Sequence, residues 1–204
     1  MAEYKFGFEE TWFRLIIKNL PNHPELFLPK YVEEAQSILR VGKLKVGAAR
    51  AWAESADIIY KGKKNFALTP FGKIIARHDP ELEENGIWWA IHYNLARVSS
   101  PAWFYSFYFN NFELDHFSRE DFEKAVREFW DKDHEKSMTD SVFHKLIFSP
   151  FKQVFENTRL GTEFGFWLTD EENKYLCDSE DAPALPRTIL AYALLDWSIQ
   201  QQRQ

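Results

Sequence analysis

The chain has 204 residues, 45% of them apolar and 17% aromatic, and its 25 basic and 31 acidic side chains leave a net charge of −6. That is ample apolar material for the core of one large domain or two small ones, and rings that each remove roughly 150–250 Å² from water should dominate its packing. The acidic total argues against a nucleic-acid coat held by charge alone, no run reaches the roughly 18–20 apolar residues of a membrane span, and the lone Cys177 cannot close an internal disulfide.

Met1-Ala2-Glu3-Tyr4-Lys5 lacks the charged, then apolar, then small-residue order of a signal peptide, so a cytoplasmic setting is expected. Val32, Ala35, Ile38 and Leu39 predict a helix over 31–40. After a break at Gly42 a second helix is predicted from Lys43 to about Ala56. Val46, Ala49, Ala53 and Ala56 recur on one face of it, and Lys43, Gly47, Arg50 and Glu54 on the other. Asp57-Ile58-Ile59-Tyr60 and Phe66-Ala67-Leu68 flank the turn residues Lys61-Gly62-Lys63-Lys64-Asn65, which predicts a hairpin with a basic tip. Thr69-Pro70 then starts a short helix over 71–76.

Helix, helix, hairpin, helix is winged-helix order, and charge singles out the same stretch. Residues 40–77 hold nine Lys or Arg against Glu54 and Asp57, a local charge of +7, while the rest of the chain carries 16 basic and 29 acidic side chains. In such folds the second helix enters the major groove and a basic wing reaches the neighbouring backbone. Arg40, Lys43, Lys45, Arg50, Lys61, Lys63 and Lys64 are therefore the expected nucleic-acid contacts, with DNA as the partner. Lysines also coat ordinary soluble surfaces, and winged helices also serve as docking modules.

Asp79-Pro80 predicts a longer helix to about Val98, with Trp88, Ile91, Leu95 and Val98 as its buried stripe. The segment 103–112 is aromatic nearly all round and belongs inside. Ser118 and Asp121 form a capping-box start for a helix with Phe122, Val126, Phe129 and Trp130 inward. A polar loop over 131–136 precedes two short helices, 142–148 and 150–155, broken by Ser149-Pro150. Residues 164–168 alternate as a strand would, and a last helix runs from Thr188 to about Gln202. The fold class is mainly α with a small β-hairpin wing: a winged helix-turn-helix over 1–78 packed on a helical, aromatic-rich domain over 79–204.

Asp140 and His144 stand four apart on one helix face, with Asp133, His134 and Glu135 just before them. Acid and imidazole so placed could hold a divalent metal or move a proton, and equally form a surface acid–His pair beside a solvated loop. His92 reads as a core histidine and His116 as a loop residue. No phosphate-binding Gly-rich loop, dinucleotide fingerprint or serine-hydrolase elbow is present.

Phe8-Glu9-Glu10-Thr11-Trp12-Phe13-Arg14, Val41-Gly42-Lys43, Ala51-Trp52-Ala53-Glu54 and Leu68-Thr69-Pro70-Phe71-Gly72 follow a familiar order. So do Trp88-Trp89-Ala90-Ile91-His92-Tyr93-Asn94-Leu95-Ala96, the aromatic run 103–112 with Asn110 and Asn111, Thr139-Asp140-Ser141-Val142 and Ala191-Tyr192-Ala193-Leu194-Leu195-Asp196. In that order and spacing the chain resembles, over essentially its whole length, the family called domain of unknown function 4007. The resemblance implies anti-phage defence linked to DNA phosphorothioation, in which sulfur replaces a backbone oxygen, and a likeness to the strand-nicking component of the Ssp system. It implies DNA and other subunits of such a system as partners and leaves a homodimer open. Nicking would use Mg²⁺ or Mn²⁺, with Glu10, Asp140 and His144 as the candidate catalytic set. A non-enzymatic DNA reader or regulator is the alternative.

Two departures accompany the resemblance. Glu9 stands where the family pattern has histidine, replacing a base or ligand nitrogen by an oxygen. The chain also stops at Gln204, where family members continue, which is expected of a short homologue or a truncated chain.

Overall fold

A computed structural model describes residues 4–132, 134–178 and 180–201. Its chain is mainly helical, with two small antiparallel sheets. The first helix, α1 (Glu10–Asn19), buries Trp12, Phe13, Ile16 and Ile17, neighbours on one face at helical spacing. A loop and a 3₁₀ turn lead to α2 (Val32–Leu39). The residue that ends α2 is Arg40, in the left-handed region at φ 56°, with the Val41 N–H closing back on the Gln36 carbonyl. Gly42 was the expected break, yet it is extended and serves as the N-cap of α3 (Lys43–Ser55).

On α3 the residues Val46, Ala48, Ala49, Ala51, Trp52, Ala53 and Ser55 are buried, a wider apolar face than the four-residue stripe of the sequence. The helix ends in a Schellman turn: Asp57 adopts φ 57°, Ile58 N–H reaches the Ala53 carbonyl and Asp57 N–H that of Glu54. The hairpin pairs β1 (Ile59–Lys61) with β2 (Phe66–Leu68), setting Ile59 opposite Leu68 and Lys61 opposite Phe66. Thr69 caps α4 (Pro70–His78), its hydroxyl accepting from Gly72 N–H at 2.9 Å and donating to the Asp57 carbonyl. A Cβ at Gly72 would lie 2.1 Å from the Ile58 carbonyl oxygen, so only glycine lets α4 seat this closely against the hairpin.

The next helix, α5 (Asn85–Ala96), starts later and ends sooner than Asp79-Pro80 and Val98 suggest. The Asp79 carboxylate accepts from the N–H groups of Glu83 and Glu84 at 2.9 Å each, which closes a turn before the helix begins. Val98 lies past the helix end and is 85% exposed, so it has no place in the buried stripe.

Helix α6 (Trp103–Asn110) runs through the middle of the aromatic core, with Phe104, Tyr105, Phe107 and Tyr108 buried. Phe104 touches Trp52 at 5.8 Å and Phe151 at 6.1 Å, both edge-on, so one apolar cluster runs from the N-terminal helices into the C-terminal ones. The Ser118–Asp121 capping box is present at the start of α7 (Arg119–Asp131).

The segment from α8 (Asp140–Phe143) through a π-helical turn (His144–Phe148) into α9 (Ser149–Glu156) is continuous. Ser149-Pro150 does not break it. The Ser149 N–H bonds back five residues to His144, and the wider turn makes room for a proline that a regular α-helix would reject.

Beyond the short α10 (Arg159–Thr162), a three-stranded sheet orders β3 (His116–Phe117), β5 (Tyr175–Leu176) and β4 (Leu168–Thr169). Of the predicted strand 164–168, only Leu168 is in a strand. Phe164, Phe166 and Trp167 are instead buried core. The last described helix, α11 (Arg187–Gln201), packs on α5 and leaves Leu190, Leu194, Leu195 and Trp197 exposed.

Candidate nucleic-acid interface

The polar face of α3 carries Lys43, Gly47 and Arg50, and the three border one shallow depression of about 200 Å³ together with Phe27 and Pro29. Arg50 lies 3.8 Å from Glu54, one turn along. Lys45 is elsewhere: two residues from Lys43 is more than half a helical turn, and its ammonium pairs with Glu9 at 3.1 Å, over the rings of Phe6 and Trp12. It clamps α3 to the N-terminal segment. Arg40 is exposed at the end of α2, and Lys61, Lys63 and Lys64 are exposed at the hairpin, whose tip is closed by the Gly62 N–H on the Asn65 carbonyl at 2.8 Å.

Outside this stretch, cations such as Arg14, Lys18, Arg127, Lys152 and Arg159 are held by Glu10, Glu81, Glu123, Glu156 and Glu163 respectively. Arg40, Lys43, Lys61, Lys63 and Lys64 make no ion pair among the described residues.

The three candidate catalytic residues have separate partners. Glu10 is largely buried, one carboxylate oxygen accepting from Arg14 and the other from the backbone N–H of Arg159, both at 2.8 Å. Asp140 caps nothing and is 99% exposed, with one oxygen 2.7 Å from the Arg127 guanidinium. Arg127 also holds Glu123, whose hydrogen bond raises the arginine's pKa above its ordinary value. His144, in the π turn, is exposed on the wall of a cleft of about 470 Å³ shared with Lys5, Ser141, Lys145 and Ser149. Helical spacing placed Asp140 and His144 on one edge, and the structure turns them to different neighbours.

No cation cage results from Glu10 and Asp140. Both oxygens of Glu10 are occupied by protein donors, and Asp140 offers one carboxylate already shared with Arg127. His134 stacks on Trp130 with ring centroids 3.4 Å apart, and Asp133 lies outside the described residues. His116 bonds Asp170 at 2.6 Å, tying β3 to the turn after β4.

Sequence inspection missed a buried polar network behind α3. Fully buried Asn94 donates to the Ala56 carbonyl at 3.2 Å and accepts from the Tyr192 hydroxyl at 3.1 Å, and Tyr93 donates to Asp196 at 3.0 Å. Burial, together with the Asp196 hydrogen bond, pushes the Tyr93 phenol well above its usual range. Its hydrogen-bonded partners are 38 to 103 positions apart, so no local spacing pairs them.

No helix among the described residues is long and apolar enough to cross a membrane. No curated protein matches the sequence. Two crystal structures share the fold: a magnesium ion-bound SspB, at 21% identity and TM-score 0.70, and a second SspB structure, at 22% and 0.65. Each alignment covers 97% of this chain and 64% of the SspB chain, so the protein spans under two thirds of the length of those it matches. A family model described as a protein of unknown function, DUF4007, matches residues 5–155, about three quarters of the sequence. The chain belongs to the DUF4007 family.

Proposed function

We propose that this protein is a DNA-binding component of a DNA phosphorothioation system in anti-phage defence, and that it opens one strand so that sulfur can enter the backbone. The observation that carries the reading is the set of exposed cations Arg40, Lys43, Lys61, Lys63 and Lys64, which make no ion pair among the described residues, displayed on a fold like that of SspB. With a body that is otherwise acidic, duplex phosphate is repelled except where these side chains face it, so docking is oriented. In a winged-helix arrangement, Lys43 and Arg50 approach along the outward face of α3, and Gly47, with open space at its Cβ position, lets the backbone come close. Lys61, Lys63 and Lys64 hold the flanking phosphates.

The strand-opening step is assigned to the cleft lined by His144. Water adds to the phosphorus as the imidazole takes its proton, and the imidazolium returns that proton to the sugar oxygen as its bond to phosphorus breaks, while Lys5 and Lys145 offset phosphate charge. Glu10 is not part of this cleft; it braces α1 against α10 through the Arg159 backbone N–H.

The engagement of Glu10 and Asp140 by arginines favours one competitor, a non-enzymatic reader that brings other subunits to DNA. Incubation with supercoiled plasmid and Mg²⁺ or Mn²⁺ separates the two. An open-circular product that disappears with His144→Ala supports strand opening. Retarded plasmid that is never relaxed, even at high protein, supports the reader. No retardation at all ends both.

A further inference from the structure

The segment between α1 and α2 brings together three side chains with no place in the interface above. Among the described residues, His23, Glu25 and Glu34 alone form a group of three potential metal ligands, each offering an atom within 4.8 Å of the others. His23 Nδ1 is 2.7 Å from a Glu34 oxygen. Donors about 2.1 Å from one cation lie roughly 3.0–3.4 Å apart in octahedral or tetrahedral geometry, so closure around an ion draws the widest pair together by up to about 1.8 Å, within the reach of side-chain rotation. All three are partly exposed, which leaves room for water to complete the coordination.

The backbone behind them is already set. His23 N–H bonds the Asn19 carbonyl at 3.0 Å, running off the end of α1, Leu28 N–H bonds the Glu25 carbonyl at 2.8 Å, and Glu34 sits in the first turn of α2. The Pro24 carbonyl accepts from Phe66 N–H at 2.7 Å, so this loop also carries the hairpin. The ligands thus come from three points of a hydrogen-bonded frame.

We infer that His23, Glu25 and Glu34 form a divalent-cation site that pins the α1–α2 loop beneath the hairpin. One imidazole and two carboxylates suit a first-row transition ion such as Mn²⁺ or Zn²⁺ better than Mg²⁺ or Ca²⁺, which favour oxygen-only shells. The ordinary alternative is a His23–Glu34 ion pair, which has no use for Glu25. Glu25 makes no side-chain hydrogen bond or ion pair among the described residues, so it separates the two.

The test is calorimetric titration of the chelator-treated full chain with MnCl₂, ZnCl₂ and MgCl₂, with thermal melts alongside. One equivalent of Mn²⁺ or Zn²⁺ should bind more tightly than Mg²⁺ and raise the melting temperature. Glu25→Gln should weaken that binding at least roughly tenfold, the scale on which even outer partners of a ligand act, and leave the metal-free melt unchanged. His23→Ala should abolish uptake, with circular dichroism to establish that it folds. Binding equal in the parent and Glu25→Gln, or none in the parent, overturns the site. Plasmid retardation without metal is a separate readout, so failure here leaves the DNA proposal standing.

Discussion

Glu10, at the first position of α1, accepts the backbone N–H of Arg159 across 149 residues of sequence, at 2.8 Å. The same carboxylate holds Arg14 one turn along its own helix. Removing it strands a part-buried backbone donor and takes the partner from a guanidinium whose side chain is 35% exposed. Glu10→Ala should therefore cost about 1–3 kcal/mol in urea unfolding, and Glu10→Gln less, since the amide oxygen can still accept from Arg159. Unchanged stability in the alanine variant would return Glu10 to the list of catalytic acids.

The two faces of α3 predict opposite results for two lysines. Lys43→Glu combined with Lys63→Glu should lower DNA affinity by roughly tenfold or more and flatten its dependence on salt, because released counterions scale with phosphate contacts. Lys45→Ala should leave DNA affinity close to that of the parent while costing stability of about 0.5–1 kcal/mol, through its pair with Glu9 and its contact with Phe6 and Trp12. Fluorescence anisotropy on a duplex at several salt concentrations reads both. A larger loss from Lys45→Ala than from the double variant would reverse the proposed orientation of α3.

Two glycines differ in what surrounds them. Gly47→Ala adds a methyl group to open space in a helix interior and should stabilise by about 0.5–1 kcal/mol. If α3 lies close to DNA, the same methyl group should weaken binding. Gly72→Ala drives its Cβ onto the Ile58 carbonyl and should destabilise by about 2–3 kcal/mol. Chemical denaturation decides it, and a Gly72→Ala variant within experimental error of the parent would mean that α4 can lift off the hairpin at no cost.

His92 is packed against Phe109 and Phe166, and burial lowers its pKa from 6.5 to about 3. The unfolded chain takes up this proton near pH 6.5, while the folded chain does not until near 3. Stability is thus lost as pH falls below about 6.5, by up to about 2 kcal/mol between pH 7 and 5 for this one group. His92→Gln should flatten that slope whatever its effect at neutral pH. Parallel slopes in parent and variant would show that His92 protonates in the folded state.

Much of the outline was open to local inspection. The apolar spacing of α2 and α3, the Thr69-Pro70 and Ser118–Asp121 starts and the hairpin residues Lys61-Gly62-Lys63-Lys64 express preferences acting over a few positions, and they appear in the structure within a residue or two. The failures share a cause. Asp79-Pro80 looked like a helix start, but the Asp79 side chain turned to later N–H groups. Ser149-Pro150 looked like a break, and a wide turn absorbed it. Residues 164–168 looked like a strand, but only Leu168 joined one, and Phe164, Phe166 and Trp167 were drawn into the aromatic core instead.

By itself the sequence determined where charge gathers, which face of α3 is polar and that aromatic rings would form the core, because composition and helical period act locally. Only the tertiary structure decided what each charged group does. Lys45 and Glu10 are tied inward, Asp140 is held by Arg127, His23 meets Glu34, and Lys43 and the hairpin lysines stay unpaired among the described residues. Those partners come from distant points in the chain, and a charge is free for function only when folding has brought it no counter-charge.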